Sequence, residues 1–124
     1  VVASLKELIL APQSDLPYVR RYLHSIGFLI ETELLIQDDG KFYTIMRCVL
    51  GKESYSNEIE YMYGKKVLDK KEPLLKQLLE MEAKSYHLVE EKLLKSNTEG
   101  AKERLGEVQE KQKLIEEALR CLQQ

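Results

Sequence analysis

Residues 28 to 50 read FLIETELLIQDDGKFYTIMRCVL, and this stretch decides the fold of the first half of the chain. Phe28 to Ile36 is rich in residues that favour β-strands, and Asp38-Asp39-Gly40 has the composition of a tight hairpin turn. Lys41 to Leu50 keeps a partial alternation of apolar and polar residues. We therefore predict two antiparallel strands joined by a short turn.

The residues that precede this hairpin predict a strand followed by a helix. Leu5 to Leu10 (LKELIL) is a short apolar run that stops at Ala11-Pro12, because proline cannot continue regular strand pairing. Asp15 can cap a helix that begins here, since Leu16-Pro17 puts proline in the first turn, where it is tolerated. Gly27 is the expected end of this helix, because glycine accepts the left-handed conformation. One face of the helix is formed by Val19, Tyr22, Leu23 and Ile26.

The second half of the chain has the repeat of two long amphipathic helices. Glu72-Pro73 is a suitable helix start, and the polar segment Ser96-Asn97-Thr98-Glu99-Gly100 interrupts the apolar repeat. The first helix has two neighbouring apolar stripes, one formed by Leu75, Leu79, Tyr86, Val89 and Leu93 and one by Leu74, Leu78, Met81 and Leu88. The second helix has one stripe, formed by Ala101, Leu105, Val108, Gln112, Ile115, Leu119 and Leu122. The heptad spacing of the second stripe predicts an antiparallel two-helix coiled-coil hairpin.

The composition excludes several classes of protein. Among 124 residues, 44% are hydrophobic and the formal net charge is −2, which excludes wholesale disorder and a strongly basic nucleic-acid binder. No apolar run approaches the roughly 18 residues of a membrane-spanning helix, so we expect no membrane partner. Cys48 and Cys121 have neither a metal-binding nor a redox spacing, which argues against a disulfide framework and favours a cytoplasmic location.

The charge and the hydrophobic period both change near Gly64. Residues 1-64 hold six Lys and Arg against nine Asp and Glu, a net charge of −3, whereas residues 65-124 hold thirteen against twelve, a net charge of +1. We therefore predict two units, with the strands in residues 1-64 and the helical hairpin in residues 65-124.

Several short motifs, in a fixed order, resemble a known family. The first two are Leu8-Ile9-Leu10-Ala11-Pro12-Gln13 and Leu16-Pro17-Tyr18-Val19-Arg20-Arg21-Tyr22-Leu23, and the later ones are Gly27-Phe28, Glu33, Asp39-Gly40-Lys41-Phe42-Tyr43-Thr44-Ile45, Tyr63-Gly64 and Lys71-Glu72-Pro73-Leu74. This series resembles the C-terminal half of bacterial tRNA (adenine-N1)-methyltransferases of the TrmK type. That family reads L-I-L-Q-P-N, then L-R-x-W-L and G-K-x-Y-E-I, before a coiled-coil hairpin. The chain departs from the pattern at Ala11-Pro12-Gln13, where the family's asparagine is replaced by a longer amide.

The resemblance implies a fold, an activity and a cofactor. Residues 1-64 would be the C-terminal part of a Rossmann-like, class I methyltransferase sheet of the α/β class, in the order strand, helix, strand, turn, strand. The intact protein would use S-adenosylmethionine to methylate N1 of an adenine in tRNA. The family's cofactor-binding loop has no counterpart in this chain, so we predict no cofactor-binding residues here and no activity from this chain alone.

The loop after the first strand carries the candidates for substrate positioning. Polar groups at the carboxyl end of a strand are placed where class I methyltransferases hold their ligands. Gln13 is the candidate, because its amide could hydrogen-bond a base edge, and Pro12, Ser14 and Asp15 complete the loop. The alternative for Ser14 and Asp15 is that they only cap the following helix.

Cationic side chains are the candidates for RNA binding. They are Arg20 and Arg21, predicted on the exposed side of the first helix, and the cluster Lys65, Lys66, Lys70 and Lys71. The alternative for the arginines is that they are ordinary surface charges or partners of Glu31 or Glu33, and the alternative for the lysines is an ordinary solvated surface. His24 and His87 have no metal ligand at suitable spacing, so we predict no metal site.

Two functions from different classes fit these observations. In the first, the chain is part of a tRNA methyltransferase whose helical arm positions RNA. In the second, it is a non-catalytic coiled-coil module that binds a partner or a second copy. Self-association through the hairpin or an exposed sheet edge fits either function.

Overall fold

A computed structural model of the chain describes residues 6–124, which form two compact units that divide between Leu75 and Lys76. In the first unit the elements are β1 (Glu7–Leu10), α1 (Leu16–Ser25), β2 (Phe28–Asp38), β3 (Lys41–Leu50), α2 (Glu58–Tyr63) and α3 (Lys65–Asp69). Two long helices follow, α4 (Pro73–Leu94) and α5 (Glu99–Gln123). The predicted order of strand, helix, strand, turn and strand is confirmed, although Leu5, where the first strand was expected to begin, lies outside the described residues.

The three strands form one sheet in the order β1-β3-β2. Strand β3 is antiparallel to both neighbours, with Leu8 opposite Cys48 on one side and Ile36 opposite Tyr43 on the other. Because both outer strands are antiparallel to β3, β1 and β2 run in the same direction, and α1 is the crossover between them. The sheet is therefore an α/β arrangement that ends in an antiparallel hairpin.

The hairpin turn has the geometry that its composition predicts. Asp39 has φ 51° and Gly40 has φ 76°, and two consecutive positive φ values are the mark of a type I′ turn. A register shift between Ile30 and Thr32 interrupts the pairing of β2 with β3. Before the shift Ile30 is buried, and after it the buried residue is Glu33, so the irregularity changes which side chains face the core.

The core of the first unit lies between α1 and one face of the sheet. The buried residues of this cluster are Leu23, Phe28, Ile30, Met46, Cys48 and Tyr55. Tyr22, which the sequence places on the apolar face, is 52% exposed, and its ring lies parallel to that of Tyr18 with the centroids 6.3 Å apart. Tyr22 therefore belongs to the solvent side of α1, and that part of the predicted face is wrong.

The first unit continues past the predicted boundary at Gly64. Ile59 of α2 and both Val67 and Leu68 of α3 are buried, so these helices belong to the packing of the sheet unit. The two helices have only six and five residues, which is too short for a helical period to be visible in the sequence. The compact unit consequently extends through Leu75 instead of ending at residue 64.

Helices α4 and α5 begin where the sequence predicts. Pro73 opens α4, and the hydroxyl of Thr98 accepts a hydrogen bond from the amide of Ala101 at 3.1 Å, which caps α5. Glu90 of α4 accepts weak hydrogen bonds from the Gln109 and Gln112 side chains of α5, both at 3.4 Å. The two helices therefore lie side by side. Three residues of the predicted stripe of α5 are buried, Ala101, Val108 and Ile115.

One stripe of α4 does not pack as the sequence suggests. Met81 is 48% exposed and Leu88 is 60% exposed, so these members of the second apolar stripe face solvent in the described structure. The buried apolar face of α4 is therefore narrower than the apolar face that its sequence predicts. That the two helices form a coiled coil stays a prediction. Within residues 6–124, none of the helices combines the length and apolar content that crossing a lipid bilayer requires.

Candidate functional site

The loop after β1 carries the residues predicted to position a substrate. Gln13 and Ser14 are exposed, and Pro12 is half-buried. Asp15 occupies the N-cap position of α1, but it has φ 53° and its side chain makes no capping hydrogen bond. The expectation that Asp15 caps through its carboxylate is therefore wrong; its backbone carbonyl accepts from the amide of Val19 at 3.0 Å. Gln13 is accessible at the carboxyl end of β1, and its positioning role stays a prediction.

Arg20 is buried, and its guanidinium is fully engaged inside the first unit. Nε and Nη2 donate to the two carboxylate oxygens of Glu33, each at 2.9 Å. Nη1 donates to the backbone carbonyls of Tyr61 and Met62 at 2.5 Å and 2.9 Å. These carbonyls lie at the end of α2, where a helix lacks internal donors. Arg20 thus pairs with Glu33 across the core and also holds α2 against α1.

The prediction that Arg20 lies on the exposed side of its helix is wrong, and the reason is its spacing. Arg20 follows Leu16 by four residues and precedes Leu23 by three, so it shares the face that packs on the sheet. Pairing with Glu33, the alternative considered from the sequence, is confirmed. An arginine with this burial is not accessible to an RNA phosphate.

Arg21 lies on the exposed side of α1, as predicted. Its Nη2 donates to the carboxylate of Glu58 at 2.5 Å, and its guanidinium carbon lies 4.3 Å from the centre of the Tyr61 ring. The second contact is a cation–π interaction. Arg21 has local partners for its charge, and a role in RNA binding stays a prediction.

The four lysines of the predicted basic cluster divide into two pairs. Lys65 lies 3.4 Å from carboxylate oxygens of Glu60 and Asp69, and hydrogen bonds and charge from Asp69 and then Glu60 raise the pKa of this lysine. Lys66 donates to Glu53 at 3.1 Å. The second pair, Lys70 and Lys71, is exposed and has no ion pair or hydrogen-bonded side-chain partner among residues 6–124. Neighbouring carboxylates therefore pair with two of the four lysines of this cluster, Lys65 and Lys66.

A partly buried polar network that the sequence does not reveal joins α1 to the segment after β3. His24 Nε2 lies 2.8 Å from Oε1 of Glu53, and His24 Nδ1 lies 3.0 Å from the hydroxyl of Tyr61. That hydroxyl accepts from the amide of Tyr55 at 3.1 Å, and Glu53 accepts from the amide of Ile30 at 3.0 Å. The Tyr61 hydroxyl thus links the amide of Tyr55 to His24, and His24 links Tyr61 to Glu53.

Glu53 is the anion on which this network converges. Burial by itself raises the pKa of Glu53, but hydrogen bonds from the Ile30 amide, Lys66 and His24 outweigh it and hold the pKa below its ordinary value. The carboxylate is thus kept charged by donors from three elements. No pattern in the sequence pairs Glu53 with His24, since the two are separated by the whole hairpin.

The contacts of these groups hold the elements of the first unit together. Among residues 6–124, no group of three or more His, Cys, Asp or Glu side chains is arranged to hold a metal ion. Burial, with the nearby charges of Glu33 and Glu53, raises the pKa of the Cys48 thiol to about 11, so Cys48 is a core residue and not a nucleophile. Among the predicted site residues that the structure describes, the Gln13 amide and several cationic side chains are accessible, and such groups suit binding.

The comparison with protein families gives a match over most of the chain. The model of the TrmK family, tRNA (adenine(22)-N(1))-methyltransferases, matches residues 1–117. The chain belongs to the TrmK family. A comparison with curated proteins finds no match.

Solved structures share the fold that the TrmK family match implies. An uncharacterized protein from Listeria monocytogenes serotype 4b has a TM-score of 0.87 and 21% identity, over 95% of this chain and 53% of that one. A Streptococcus pneumoniae protein assigned as a tRNA (m1A22) methyltransferase has a TM-score of 0.81 and 25% identity, over 95% of this chain and 51% of that one.

A third solved structure contains a bound cofactor product. TrmK from M. capricolum, in complex with S-adenosyl-homocysteine, has a TM-score of 0.76 and 21% identity, over 94% of this chain and 50% of that one. The present chain thus spans about half the length of each of these structures. The fold is shared with TrmK proteins, and the matched region corresponds to part of them.

Proposed function

We propose that this chain is the C-terminal portion of an S-adenosylmethionine-dependent enzyme that methylates N1 of an adenine in tRNA. The observation that carries the proposal is the TrmK family match over residues 1–117. The sheet order adds support, because two parallel strands joined by α1 and followed by an antiparallel hairpin fit the end of a doubly wound α/β sheet. A tRNA substrate also fits a cytoplasmic enzyme.

The roles within the enzyme divide between the two units. Gln13 lies at the carboxyl end of β1, where α/β sheets bind ligands, and its exposed amide is suited to hydrogen-bond a base edge. Pro12, Ser14 and Asp15 shape that loop. The helix pair α4–α5, as a coiled-coil arm, helps to position the RNA. S-adenosylmethionine binds mainly to residues that precede this chain in the intact enzyme, so the chain alone is inactive.

A direct test is to measure by calorimetry whether the isolated chain binds S-adenosylmethionine. We expect no heat of binding with S-adenosylmethionine and no transfer of labelled methyl groups to tRNA. We also expect salt-dependent binding of tRNA that unlabelled tRNA displaces. Micromolar affinity for S-adenosylmethionine would contradict the assignment as a C-terminal portion, and absence of any tRNA binding would contradict the role of this portion in holding RNA.

A non-catalytic interaction module is the second candidate, and one observation favours it. Large apolar side chains are exposed on the sheet, with Ile9 at 69% and Leu34 at 52%. Such residues are suited to bury against another polypeptide. Sedimentation at several concentrations tests this function: a folded chain that stays monomeric throughout argues against self-association, whereas a dimer that also binds tRNA fits both candidates.

A further inference from the structure

The corner between α3 and α4 contains a lysine in an unfavourable backbone conformation. Lys71 has φ 52°, in the left-handed region that a side chain with a Cβ rarely adopts. The amide of Lys71 donates to the carbonyl of Leu68 at 3.1 Å, and the amide of Glu72 donates to the carbonyl of Val67 at 3.4 Å. These two hydrogen bonds define a Schellman motif, with Lys71 at the position just after the helix cap.

Glycine is the residue usually found at this position, because it adopts positive φ without steric cost. A lysine here is conformationally less favourable than glycine, and no ion pair within residues 6–124 compensates for it. Backbone strain of this kind concentrates at functional sites. The geometry therefore points to a use for the side chain of Lys71 outside the fold of this chain.

The neighbouring lysines show which charges are free at this corner. Lys65 forms ion pairs with Glu60 and Asp69, and Lys66 forms an ion pair with Glu53. Lys70 precedes Lys71 and is exposed, like Lys71. Only Lys70 and Lys71 of the predicted cluster therefore present ammonium groups that no carboxylate of the described chain neutralises.

We propose that Lys70 and Lys71 contact the phosphate backbone of the RNA substrate, whereas Lys65 and Lys66 are structural. The proposal rests on the proposed function, because the polyanion is the tRNA. Two adjacent free cations at the start of the helical arm give sequence-independent affinity, which orients the RNA without reading its bases. The unfavourable backbone conformation of Lys71 then serves to hold a charged side chain just before α4.

The test measures tRNA affinity of the full chain by fluorescence anisotropy between 50 and 200 mM salt. Each lost phosphate contact lowers the slope of log affinity against log salt by about 0.7–0.9. We expect Lys70→Gln with Lys71→Gly to lower the slope by about 1.4–1.8. Between 50 and 200 mM salt, the fold-loss of tRNA affinity should then be roughly 7 to 12 times smaller in the variant than in the parent. Lys65→Gln is the control for each single lysine substitution, because it removes one charge at a lysine that is paired with Glu60 and Asp69, and its slope should equal the parent value.

Lys71→Gly on its own separates this role from a structural one. Glycine relieves the strain, so the midpoint of unfolding should stay or move to higher denaturant while the salt slope falls by about 0.7–0.9. An unchanged slope in the Lys70 and Lys71 variants, or an equal fall with Lys65→Gln, would overturn the inference while tRNA binding by the parent chain still supports the proposed function. Binding of the parent to anionic vesicles that is lost in these variants, with tRNA binding unchanged, would assign the corner to a membrane surface instead.

Discussion

Replacing Arg20 by methionine should strongly destabilise the first unit. The variant leaves the carboxylate of Glu33 buried without its partner, which typically costs about 3–5 kcal/mol. The carbonyls of Tyr61 and Met62 also lose their donor, which moves the expected loss to the upper part of that range. A compact unit that ends at residue 75 has a total stability of about 4–11 kcal/mol at ordinary values per residue. The substitution should therefore remove about half of the stability or more.

Urea unfolding followed by circular dichroism measures this loss, and a second arginine provides the control. Arg47 pairs with Glu7 and Glu31 on the sheet surface, with its side chain 40% exposed. Arg47→Met removes the same charge but should shift the unfolding midpoint little, because exposed pairs contribute weakly. A midpoint for Arg20→Met equal to that of Arg47→Met would refute the reasoning.

A double substitution tests whether the cost comes from the unpaired charge. Arg20→Met combined with Glu33→Leu removes both charges from the core, and it should be more stable than Arg20→Met alone. The remaining deficit reports the carbonyls of α2 that Arg20 no longer binds. If the stability losses of Arg20→Met alone and Glu33→Leu alone simply add in the double variant, the pair is not energetically coupled and the explanation fails.

Two further substitutions probe the contacts around this pair and the partly buried network of Glu53. Gly64→Ala should lower the free energy of unfolding by about 2 kcal/mol or more, because φ is 94° and the new Cβ would lie 2.4 Å from the carboxylate of Glu33. Gly27→Ala is the control in the same urea titration, because Gly27 has φ 89° but open space around it, so this variant shows the backbone cost alone. Equal losses in the two variants would contradict the steric part of the explanation. Glu53→Gln should make the stability of the chain less sensitive to acid. Burial opposes the ionisation of Glu53, but hydrogen bonds hold its pKa in the folded state below the ordinary 4.5. The ionised carboxylate therefore stabilises the fold above pH 4.5, and this contribution is lost as the pH falls through the folded pKa. Unfolding measured from pH 7 to pH 3 checks this, with Glu58→Gln as the exposed control, and an identical acid limb in Glu53→Gln and the parent would count against it.

The sequence predicts the regular elements well because each has a local signal. The hairpin has its turn at Asp39-Gly40, α4 has its proline start, and α5 has its polar break. The short helices α2 and α3 have no such signal, since six and five residues do not complete two turns. Their attachment to the sheet depends on Arg20 and Glu53, whose contacts are made with residues far away in the chain.

The candidate site was less predictable, and Arg20 with Glu33 shows why. A charged residue is expected on the surface, and the spacing of Arg20 from Leu16 and Leu23 was the one signal that it shares the buried face. Glu33 faces the core only because the register shift near Thr32 changes the alternation of β2. A bulge of this kind depends on the partner strand, so a single strand's pattern does not reveal it.

The position of β3 between β1 and β2 also dictates an order of assembly. Within this unit β1 and α1 are synthesised before the hairpin, and β1 has no strand of the unit to pair with until β3 has been made. The β2–β3 hairpin closes through a local turn, whereas pairing Leu10 with Met46 requires closing a much longer loop. Within this unit the strand that is made last thus occupies the central position, and β1 can pair there only once β3 is present.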